Sequence, residues 1–382
     1  MDRQTELTLI DELLALKETR SAFLDNAVSR NSVDHYLSIE RFQAEQEKLF
    51  QRCPNAAAHV SELPEKGSFL RCEVGGLPVL ITRDKSGGVN AFLNVCRHRG
   101  TRLVDEASGC KQRFSCPYHA WTYSSGGDLI AAPHLQEGFP GIDVKEFGLR
   151  RLNCIERFGF IWVWSQESDV EHIADWFDGV ASDLDALEIA TMKIAAEDTP
   201  VRDANWKLLV EGGIEAYHFR VAHRKTIGPH FEDNLSTYRM FNAHMRSVLP
   251  RTSMRTLTEA GREAWRLRDH ANVLYTLFPS SQLLVMQDHI VWVRTEPLSP
   301  SQTRLRLATL APTIGPDAQD KDDAHWRQNH QITMMTLDED FTIGESIQAN
   351  CGSGANATMV FGRFEGALGR FNDAVESALT AP

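Results

Sequence analysis

Alternating apolar and polar positions predict short strands across residues 41–165. Apolar-rich runs at 69–74 and 79–82 flank Gly75 and Gly76, which is the pattern of a β-hairpin. Other short runs follow, separated by residues that favour turns. We therefore expect an all-β domain in this part of the chain.

The second half of the chain combines strand and helix patterns. Alternating runs bounded by turn residues predict an antiparallel sheet with one buried face, at 273–278, 283–286, 290–294 and 304–309. Apolar residues at helical spacing predict helices at 170–188, 205–222, 322–348 and 361–379. Strands with flanking helices are typical of an α+β domain.

These patterns divide the chain into three parts. Residues 1–40 contain an amphipathic helix at 5–20, which we expect to pack on another part of the protein. The all-β domain covers 41–165 and the α+β domain covers 166–382. The second boundary falls in the polar stretch 166–169.

Composition narrows the class of protein. The 382 residues are 42% hydrophobic and 24% charged, and the net charge is -12. Such an acidic chain is a poor match for nucleic acid or an anionic membrane as main partner. The seven cysteines suggest no disulfide framework, and we find no signal peptide or membrane-spanning run. We therefore expect a cytoplasmic protein.

Two short segments each pair a cysteine with a histidine. Cys96 and His98 form the first pair, Cys116 and His119 form the second, and seventeen residues lie between the pairs. Two thiolates and two imidazoles suit a Rieske [2Fe-2S] cluster, in which the cysteines bind one iron and the histidines the other. Both segments lie in turns between predicted strands. A redox function is therefore predicted.

A structural zinc ion is the alternative for the same four ligands. Zinc accepts two cysteines and two histidines, but its usual spacing places Cys with Cys and His with His. Here each segment carries one of each. The pattern therefore favours iron and sulfur over zinc.

A second candidate site lies in the predicted helix 205–222. Glu215 and His218 are three residues apart, which places them on one helical face. His218 and His223 are five apart, about 140° around an ideal helix, so they can share a metal only if the helix ends or distorts between them. With one carboxylate they would form the 2-His-1-carboxylate site of mononuclear non-haem iron(II), which leaves one face open.

The carboxylate must come from elsewhere in the chain. Asp338, Glu339 and Asp340 are the candidates, and spacing alone does not choose between them. We expect Asp340 and Ile347 to face inward and the other two carboxylates to be solvent charges. Two ordinary histidines on a helix are the alternative, but an electron-donating cluster needs an acceptor, and that favours the iron site.

Together the two sites resemble the oxygenase α subunits of Rieske non-haem iron oxygenases, the ring-hydroxylating family. The resemblance extends from about Tyr36 to Phe371 and includes the Asn205-Trp206-Lys207 segment that leads to Glu215 and His218. It implies a Rieske domain followed by a catalytic domain of the helix-grip fold, in which an antiparallel sheet wraps a long helix. It also selects Asp340 as the third iron ligand, with His218 and His223.

The resemblance further implies a homotrimer. In this family the cluster of one subunit is close to the iron of the next, and a carboxylate links them. By position that bridge is Glu215, between His218 and His119 of a neighbouring subunit. Many relatives carry Asp at the bridge, whereas some that act on quaternary ammonium compounds carry Glu, which is a weak indication of substrate.

The predicted function is that of the terminal oxygenase of a multicomponent system. An NAD(P)H-dependent reductase, with or without a ferredoxin, supplies electrons to the cluster. The mononuclear Fe(II) then activates O2 beside a small organic substrate. An aromatic substrate leads, and a small N-methylated amine or betaine is the alternative. A Rieske electron carrier without oxygenase activity is the hypothesis from another class, and a zinc hydrolase is a remote third.

Two further sets of residues carry open alternatives. The first set crowds the cluster segments and either attracts an acidic redox partner or pairs with Asp105 and Glu106; it comprises Arg97, Arg99, Arg102, Lys111 and Arg113. The second set either lines the substrate pocket or belongs to the core; it comprises Phe231, Asn234, His244, Met245 and Phe278.

Overall fold

The computed structural model describes residues 1–165, 170–315, 318 and 321–380. The chain forms two compact units, one of residues 50–172 and one of residues 1–49 with 173–382. The predicted domain boundaries stay predictions, and the polar stretch 166–169 lies outside the described residues. No described helix combines the length and the hydropathy needed to cross a bilayer.

The N-terminal segment belongs to the larger unit. It contains helix α1 (Arg3–Glu18), strand β1 (Ser29–Ser32) and helix α2 (Ile39–Glu45). Asp2 caps α1 by accepting a hydrogen bond from the backbone N–H of Thr5, as expected at a helix N-terminus. Helix α1 buries Leu9, Ile10 and Leu13, so its apolar face packs within this unit.

The smaller unit is built from short antiparallel strands, as the sequence predicts. A seven-stranded sheet has the order β2-β11-β10-β5-β4-β3-β6, and β7, β8 and β9 form a second small sheet. The unit also contains the short helix α3 (Leu135–Gly138). Its strands are β2 (Asn55–His59), β3 (Ser68–Val74), β4 (Leu77–Arg83), β5 (Val89–Leu93), β6 (Ser108–Cys110), β7 (Arg113–Ser115), β8 (Thr122–Ser124), β9 (Leu129–Ala131), β10 (Arg151–Arg157) and β11 (Phe160–Trp164).

The predicted hairpin at Gly75 and Gly76 is present. Strands β3 and β4 pair across it, from Phe69 opposite Thr82 to Val74 opposite Leu77. Both glycines have a positive φ, which residues other than glycine rarely adopt. The turn chemistry therefore fixes the register of this pair.

The larger unit is dominated by an antiparallel sheet. The strand order is β12-β19-β18-β17-β16-β15-β14, and β13 also pairs with β19. Its strands are β12 (Met192–Asp198), β13 (Val201–Arg202), β14 (Thr237–Phe241), β15 (His244–Pro250), β16 (Ala271–Leu277), β17 (Ser281–Val285), β18 (Ile290–Ser299) and β19 (Gln302–Pro312). The four strands predicted between 273 and 309 are thus confirmed.

Helices cover this sheet. The described helices of this region are α4 (Val170–Trp176), α5 (Ala181–Asp185), α6 (Trp206–Glu211), α7 (Phe219–Ala222), α8 (Leu267–His270), α9 (Asp323–Cys351) and α10 (Gly366–Thr380). Strand β20 (Thr358–Phe361) precedes α10 and pairs with β1. Gly344 of α9 lies so close to α6 that an added Cβ would be 3.3 Å from a Leu209 methyl group. The fold is α+β, as expected.

The prediction of a single helix over 205–222 is wrong. Helix α6 ends at Glu211, and helical structure returns only at α7. Gly212 closes α6, and Gly213 packs against the side chain of Gln282, which donates a hydrogen bond to the carbonyl of Val210. Glu215 and His218 therefore lie in the connection between two short helices and do not share a helical face.

Candidate metal centres

The two Cys–His segments occupy equivalent turns in the smaller unit. Cys96 follows β5 and Cys116 follows β7. Each cysteine donates its backbone N–H to the carbonyl five residues on, at 2.8 Å in both turns. Each turn also contains a residue in the left-handed region four positions after its cysteine, Gly100 in one and Ala120 in the other. The paired turns present like ligands at like positions.

The ligands divide into a buried pair and an outer pair. Cys96 and Cys116 are 3% and 5% exposed and belong to one hydrophobic cluster. The rings of His98 and His119 lie further out, with centroids 4.7 Å apart. Two adjacent thiols inside and two adjacent imidazoles outside match the ligand set that a [2Fe-2S] cluster with two irons of different ligation requires.

Two aromatic residues that follow the second cluster segment support these turns. The Trp121 ring stacks on His98 at a centroid distance of 4.9 Å. The Tyr123 hydroxyl accepts the backbone N–H of Arg97 at 2.9 Å and lies 3.4 Å from Cys96 Sγ. Since the hydroxyl accepts from that N–H, its own proton is free to reach the sulfur.

The second centre forms where the α6–α7 connection meets α9. The Nε2 atoms of His218 and His223 are 3.2 Å apart, and Asp340 Oδ1 lies 3.3 and 3.0 Å from them. Among the described residues, this is the one group of three His, Cys, Asp or Glu side chains whose ligand atoms lie close enough together to hold a single metal ion. The short α7 supplies the turn that brings histidines five residues apart onto one point.

Carboxylates fix both imidazoles from the opposite side. His218 Nδ1 contacts Glu215, and His223 Nδ1 contacts Glu339 Oε2 at 2.7 Å. A carboxylate at Nδ1 keeps that nitrogen protonated, so the Nε2 lone pair is directed at the shared point. Two lone pairs and a carboxylate oxygen then converge there, an arrangement that a divalent cation satisfies.

The carboxylates at this centre favour a positive charge at the two histidines. Burial lowers the pKa of His218, but hydrogen bonds and charge from Asp340 and Glu215 outweigh it and raise that pKa to about 10. Burial also lowers the pKa of His223, but hydrogen bonds to Asp340 and Glu339 and the charge of Asp340 outweigh it, so that this pKa is raised as well. A bound cation would take the place of the imidazole protons.

Glu339 is the carboxylate whose contacts differ most from the expectation. It was expected to be a solvent charge, but it accepts hydrogen bonds from His223 and from Thr226 Oγ1, the latter at 2.6 Å. Burial raises its pKa, but those two donors more than offset the effect and leave the pKa below its ordinary value. Asp338, by contrast, is exposed and pairs with Arg202, as a solvent charge would.

Two cavities lie along α9, one on each side of Asp340. We call the first the apolar cavity; it measures about 350 Å³ and its apolar lining comprises Ile227, Phe231, Leu284, Met286, Ile332 and Leu337. We call the second the acidic cavity; it measures about 310 Å³ and its carboxylates are Glu211, Glu215, Asp340 and Glu365.

Most of the residues predicted to line the substrate pocket or belong to the core lie in one of those two locations. Phe231 lines the apolar cavity, whereas His244, Met245 and Phe278 are buried in the core and Asn234 lines neither cavity. Ile347 follows Asp340 by nearly two full turns of α9 and lines the same acidic cavity, but it is 40% exposed and does not face inward as expected.

Two of the five basic residues around the cluster segments have the local carboxylate partners that one alternative expects. Lys111 pairs with Glu106, and Arg102 lies 3.5 Å from Asp105, so both have local partners. Arg99 instead donates a hydrogen bond to the Tyr118 hydroxyl at 3.1 Å. Local pairing therefore accounts for two of the five cations.

Comparison with known protein families identifies both units. Residues 53–153 match the model described as Rieske [2Fe-2S] domain, and residues 189–381 match the model described as ring hydroxylating alpha subunit (catalytic domain). The second match alone covers half of the chain. The two matches fall on the two candidate metal centres.

Individual proteins are also similar to this chain. The glycine betaine monooxygenase oxygenase subunit of Chromohalobacter salexigens is 28% identical over 92% of this chain and 86% of its own. The N,N-dimethyl phenylurea N-demethylase subunit alpha of Sphingobium sp. is 35% identical over 55% of this chain and 49% of its own. Among solved structures, a quaternary ammonium Rieske monooxygenase has a TM-score of 0.80 at 21% identity, over 92% of this chain and 96% of its own.

Proposed function

The chain belongs to the family of ring-hydroxylating oxygenase alpha subunits, and on that premise we propose that His218, His223 and Asp340 hold its mononuclear ferrous ion. The convergence of their three ligand atoms carries the proposal. In this chain a Rieske [2Fe-2S] domain precedes the catalytic domain. As the terminal component of an oxygenase, the protein uses O2 and electrons from partner proteins that oxidise NAD(P)H.

The [2Fe-2S] cluster is proposed to bind in the paired turns of the smaller unit. The buried thiolates and the outer imidazoles would take different irons, with the ligands Cys96, Cys116, His98 and His119. Neutral imidazoles reduce the negative charge on the cluster and raise its reduction potential. The outer histidines are also the ligands best placed to meet a second protein.

Each side chain of the catalytic centre has a distinct task. The bound iron supplies O2 activation, and three protein ligands leave part of its coordination sphere open for O2 beside the substrate. Asp340 contributes a negative charge, and the two imidazoles contribute neutral donors. Glu215 and Glu339 hold the Nδ1 protons, and they thereby keep both Nε2 atoms directed at the metal.

Glu215 is proposed to carry the electron path between subunits. Its side chain contacts His218 and lines the open acidic cavity, so it is placed to meet a group outside this chain. In the proposed homotrimer that group is His119 of the partner subunit. The exposed apolar side chains beside the acidic cavity, Ile343, Ile347 and Val360, suit such a protein contact.

The substrate is proposed to occupy the apolar cavity. Leu337 and Asp340 are three residues apart on α9, which is about 4.5 Å along the helix axis. On the other side Phe231 contacts Phe219, whose ring contacts His223. A small organic molecule in this cavity would therefore be separated from the proposed metal ligands by Leu337 on one side and by Phe231 and Phe219 on the other.

Oxidation at an N-methyl group is the second candidate for the reaction, beside hydroxylation of an aromatic ring. Two of the relatives above are named for a betaine monooxygenase and an N-demethylase, and Glu215 is the bridge residue that the sequence analysis associated with quaternary ammonium substrates. An electron carrier without oxygenase activity would have no use for the convergent ligands of the second centre.

Iron content tests the proposal. Anaerobically reconstituted wild-type protein should hold about three irons per chain, and Asp340→Ala about two. The variant should keep the electron paramagnetic resonance signal of the reduced Rieske cluster and lose substrate-dependent O2 uptake. Asp338→Asn, a change at an exposed neighbour of Asp340, should keep all the iron. Equal iron content in wild type and Asp340→Ala would refute the assignment.

A further inference from the structure

The apolar cavity has one charged side chain among otherwise uncharged neighbours. Arg251 follows the last residue of β15 and reaches the cavity from the sheet. Of the described side chains that line the cavity, none carries a carboxylate. This is unusual in a chain with a net charge of -12.

The guanidinium is held in place without being neutralised. Arg251 Nη2 donates to Asn272 Oδ1 at 2.7 Å, and the guanidinium carbon lies 6.0 Å from the centre of the Phe231 ring. Asn272 is itself only 5% exposed and belongs to β16, so it is a rigid support. These two contacts orient the side chain and leave its other N–H groups available.

The described part of the chain offers Arg251 no carboxylate within salt-bridge distance. The two acidic residues whose charges reach it are Asp288 and Asp269. Asp288 already pairs with His289, Lys321 and His325. Burial lowers the pKa of Arg251, and these distant charges offset that effect only in part. A partly buried cation without a counter-charge is costly unless a ligand supplies one.

The rest of the cavity wall defines the remainder of that ligand. Leu284, Met286 and Leu337 extend the hydrophobic core on the inner face of the sheet, and Ile227 and Phe231 pack on Phe219 beside the metal ligands. A molecule that fills the cavity therefore meets aliphatic and aromatic surface from the sheet, from α9 and from the loop after α7. It also meets one cation, the Arg251 guanidinium, which lies beside the Phe231 ring.

We infer that Arg251 receives the carboxylate of the substrate, and that the substrate is an organic acid whose apolar body lies against the rest of the cavity wall. The inference rests on the proposed function, because it places the substrate in the apolar cavity. A guanidinium suits this task since it binds a carboxylate through two parallel hydrogen bonds. Arg251 thus fixes the position of one end of the substrate.

A pair of probes isolates the carboxylate. We choose 4-(dimethylamino)benzoate and its neutral amide, which share an aromatic ring and an N-methylated nitrogen and differ in charge. Binding is measured by titration calorimetry on protein that holds the Rieske cluster but no mononuclear iron. This preparation prevents the carboxylate from binding the metal directly and makes the readout independent of turnover.

Wild-type protein should bind the acid at least about tenfold more tightly than the amide, because a charge-assisted hydrogen bond between guanidinium and carboxylate increases affinity by at least that factor. Arg251→Gln should abolish the difference by weakening the acid and leaving the amide unchanged, and Arg251→Lys should restore part of it. Arg239→Gln, a change at an exposed arginine of β14, is the matched control and should behave as wild type.

Two results would overturn the inference. One is equal affinity of wild type for acid and amide; the other is an equal loss of both probes in Arg251→Gln, which would indicate only a disturbed cavity. Failure of the proposed function is separable, because it would appear as a missing mononuclear iron while the preference for the acid persists.

Discussion

His223 donates its Nδ1 proton to Glu339, which lies beside Asp340, the proposed metal ligand on helix α9. One turn of α9 therefore supplies a proposed metal ligand and the carboxylate that orients another. Thr226 donates to the same carboxylate, so the loop after α7 is tied to α9 at this point. The position of His223 in the centre is therefore supported from α9 as well as from its own loop.

Removing the link should weaken metal binding without touching a ligand. We expect Glu339→Ala to lower the affinity for mononuclear iron by roughly 10- to 100-fold, the usual effect of losing such a partner. Iron retention during dialysis against a graded chelator measures it. Asp338→Asn is the control one residue away, and an iron affinity equal in both variants would argue against a role for Glu339.

Substitution of the proposed bridge should separate metal binding from electron transfer. Glu215→Gln retains an oxygen that can face His218 but removes the charge, so both metals should bind while reoxidation of the reduced cluster by O2 in the presence of substrate slows sharply. Rapid-mixing absorbance of the cluster follows this step. Glu365→Gln, at another carboxylate of the acidic cavity, is the control and should react at the wild-type rate; a fast Glu215→Gln variant would exclude the bridge.

The Tyr123 hydroxyl should raise the reduction potential of the cluster. It lies 3.4 Å from Cys96 Sγ, and a hydrogen bond to a ligand sulfur stabilises the reduced, more negative cluster. A difference of about 1 kcal/mol corresponds to about 40 mV for one electron, so Tyr123→Phe should lower the midpoint potential by tens of mV. Protein voltammetry measures it, with Tyr118→Phe as the exposed control; a higher or unchanged potential would be evidence against the bond.

Buried Glu211 predicts a pH dependence of stability. Burial raises its pKa to about 7 from 4.5, although Asn372 and Tyr36 donate hydrogen bonds to it and the charge of Lys207 also lowers the pKa. Between those pH values the folded chain keeps a proton that the unfolded chain releases. Stability from this group is thus fully present below pH 4.5 and is lost as pH rises through 7, by about 3 kcal/mol at most.

Glu211→Gln should remove that dependence, because Gln keeps an oxygen acceptor and cannot ionise. Thermal unfolding midpoints of the holoprotein between pH 4.5 and 8 should fall less steeply for this variant than for wild type. Asp373→Asn, at an exposed position on α10, provides the comparison. Parallel curves for Glu211→Gln and wild type would show that Glu211 does not titrate in this range.

The sequence was most informative where chemistry is local. The Cys96–His98 and Cys116–His119 segments each lie within one turn, so spacing alone indicated their ligand set. The hairpin at Gly75 and the strands between 273 and 309 follow from alternation and turn residues, and the structure has them at nearly the predicted positions.

The catalytic centre was harder to predict because it joins distant segments. The apolar spacing over 205–222 continues through Gly212 and Gly213, so periodicity alone could not show where the helix ends. In the structure it ends just before Gly213, which packs closely against the side chain of Gln282. Choosing Asp340 required the family resemblance, and Glu339 looked like a solvent charge. The contact of Glu339 with His223 depends on where α7 places that histidine, and no local sequence pattern predicts this position.

The most direct test is anomalous diffraction at the iron absorption edge from crystals of the anaerobically reconstituted protein. We predict a single iron peak within about 2.5 Å of His218 Nε2, His223 Nε2 and Asp340 Oδ1, and a separate two-iron peak between Cys96, Cys116, His98 and His119. A crystal with the two-iron peak but no iron between the histidines and Asp340 would contradict the account.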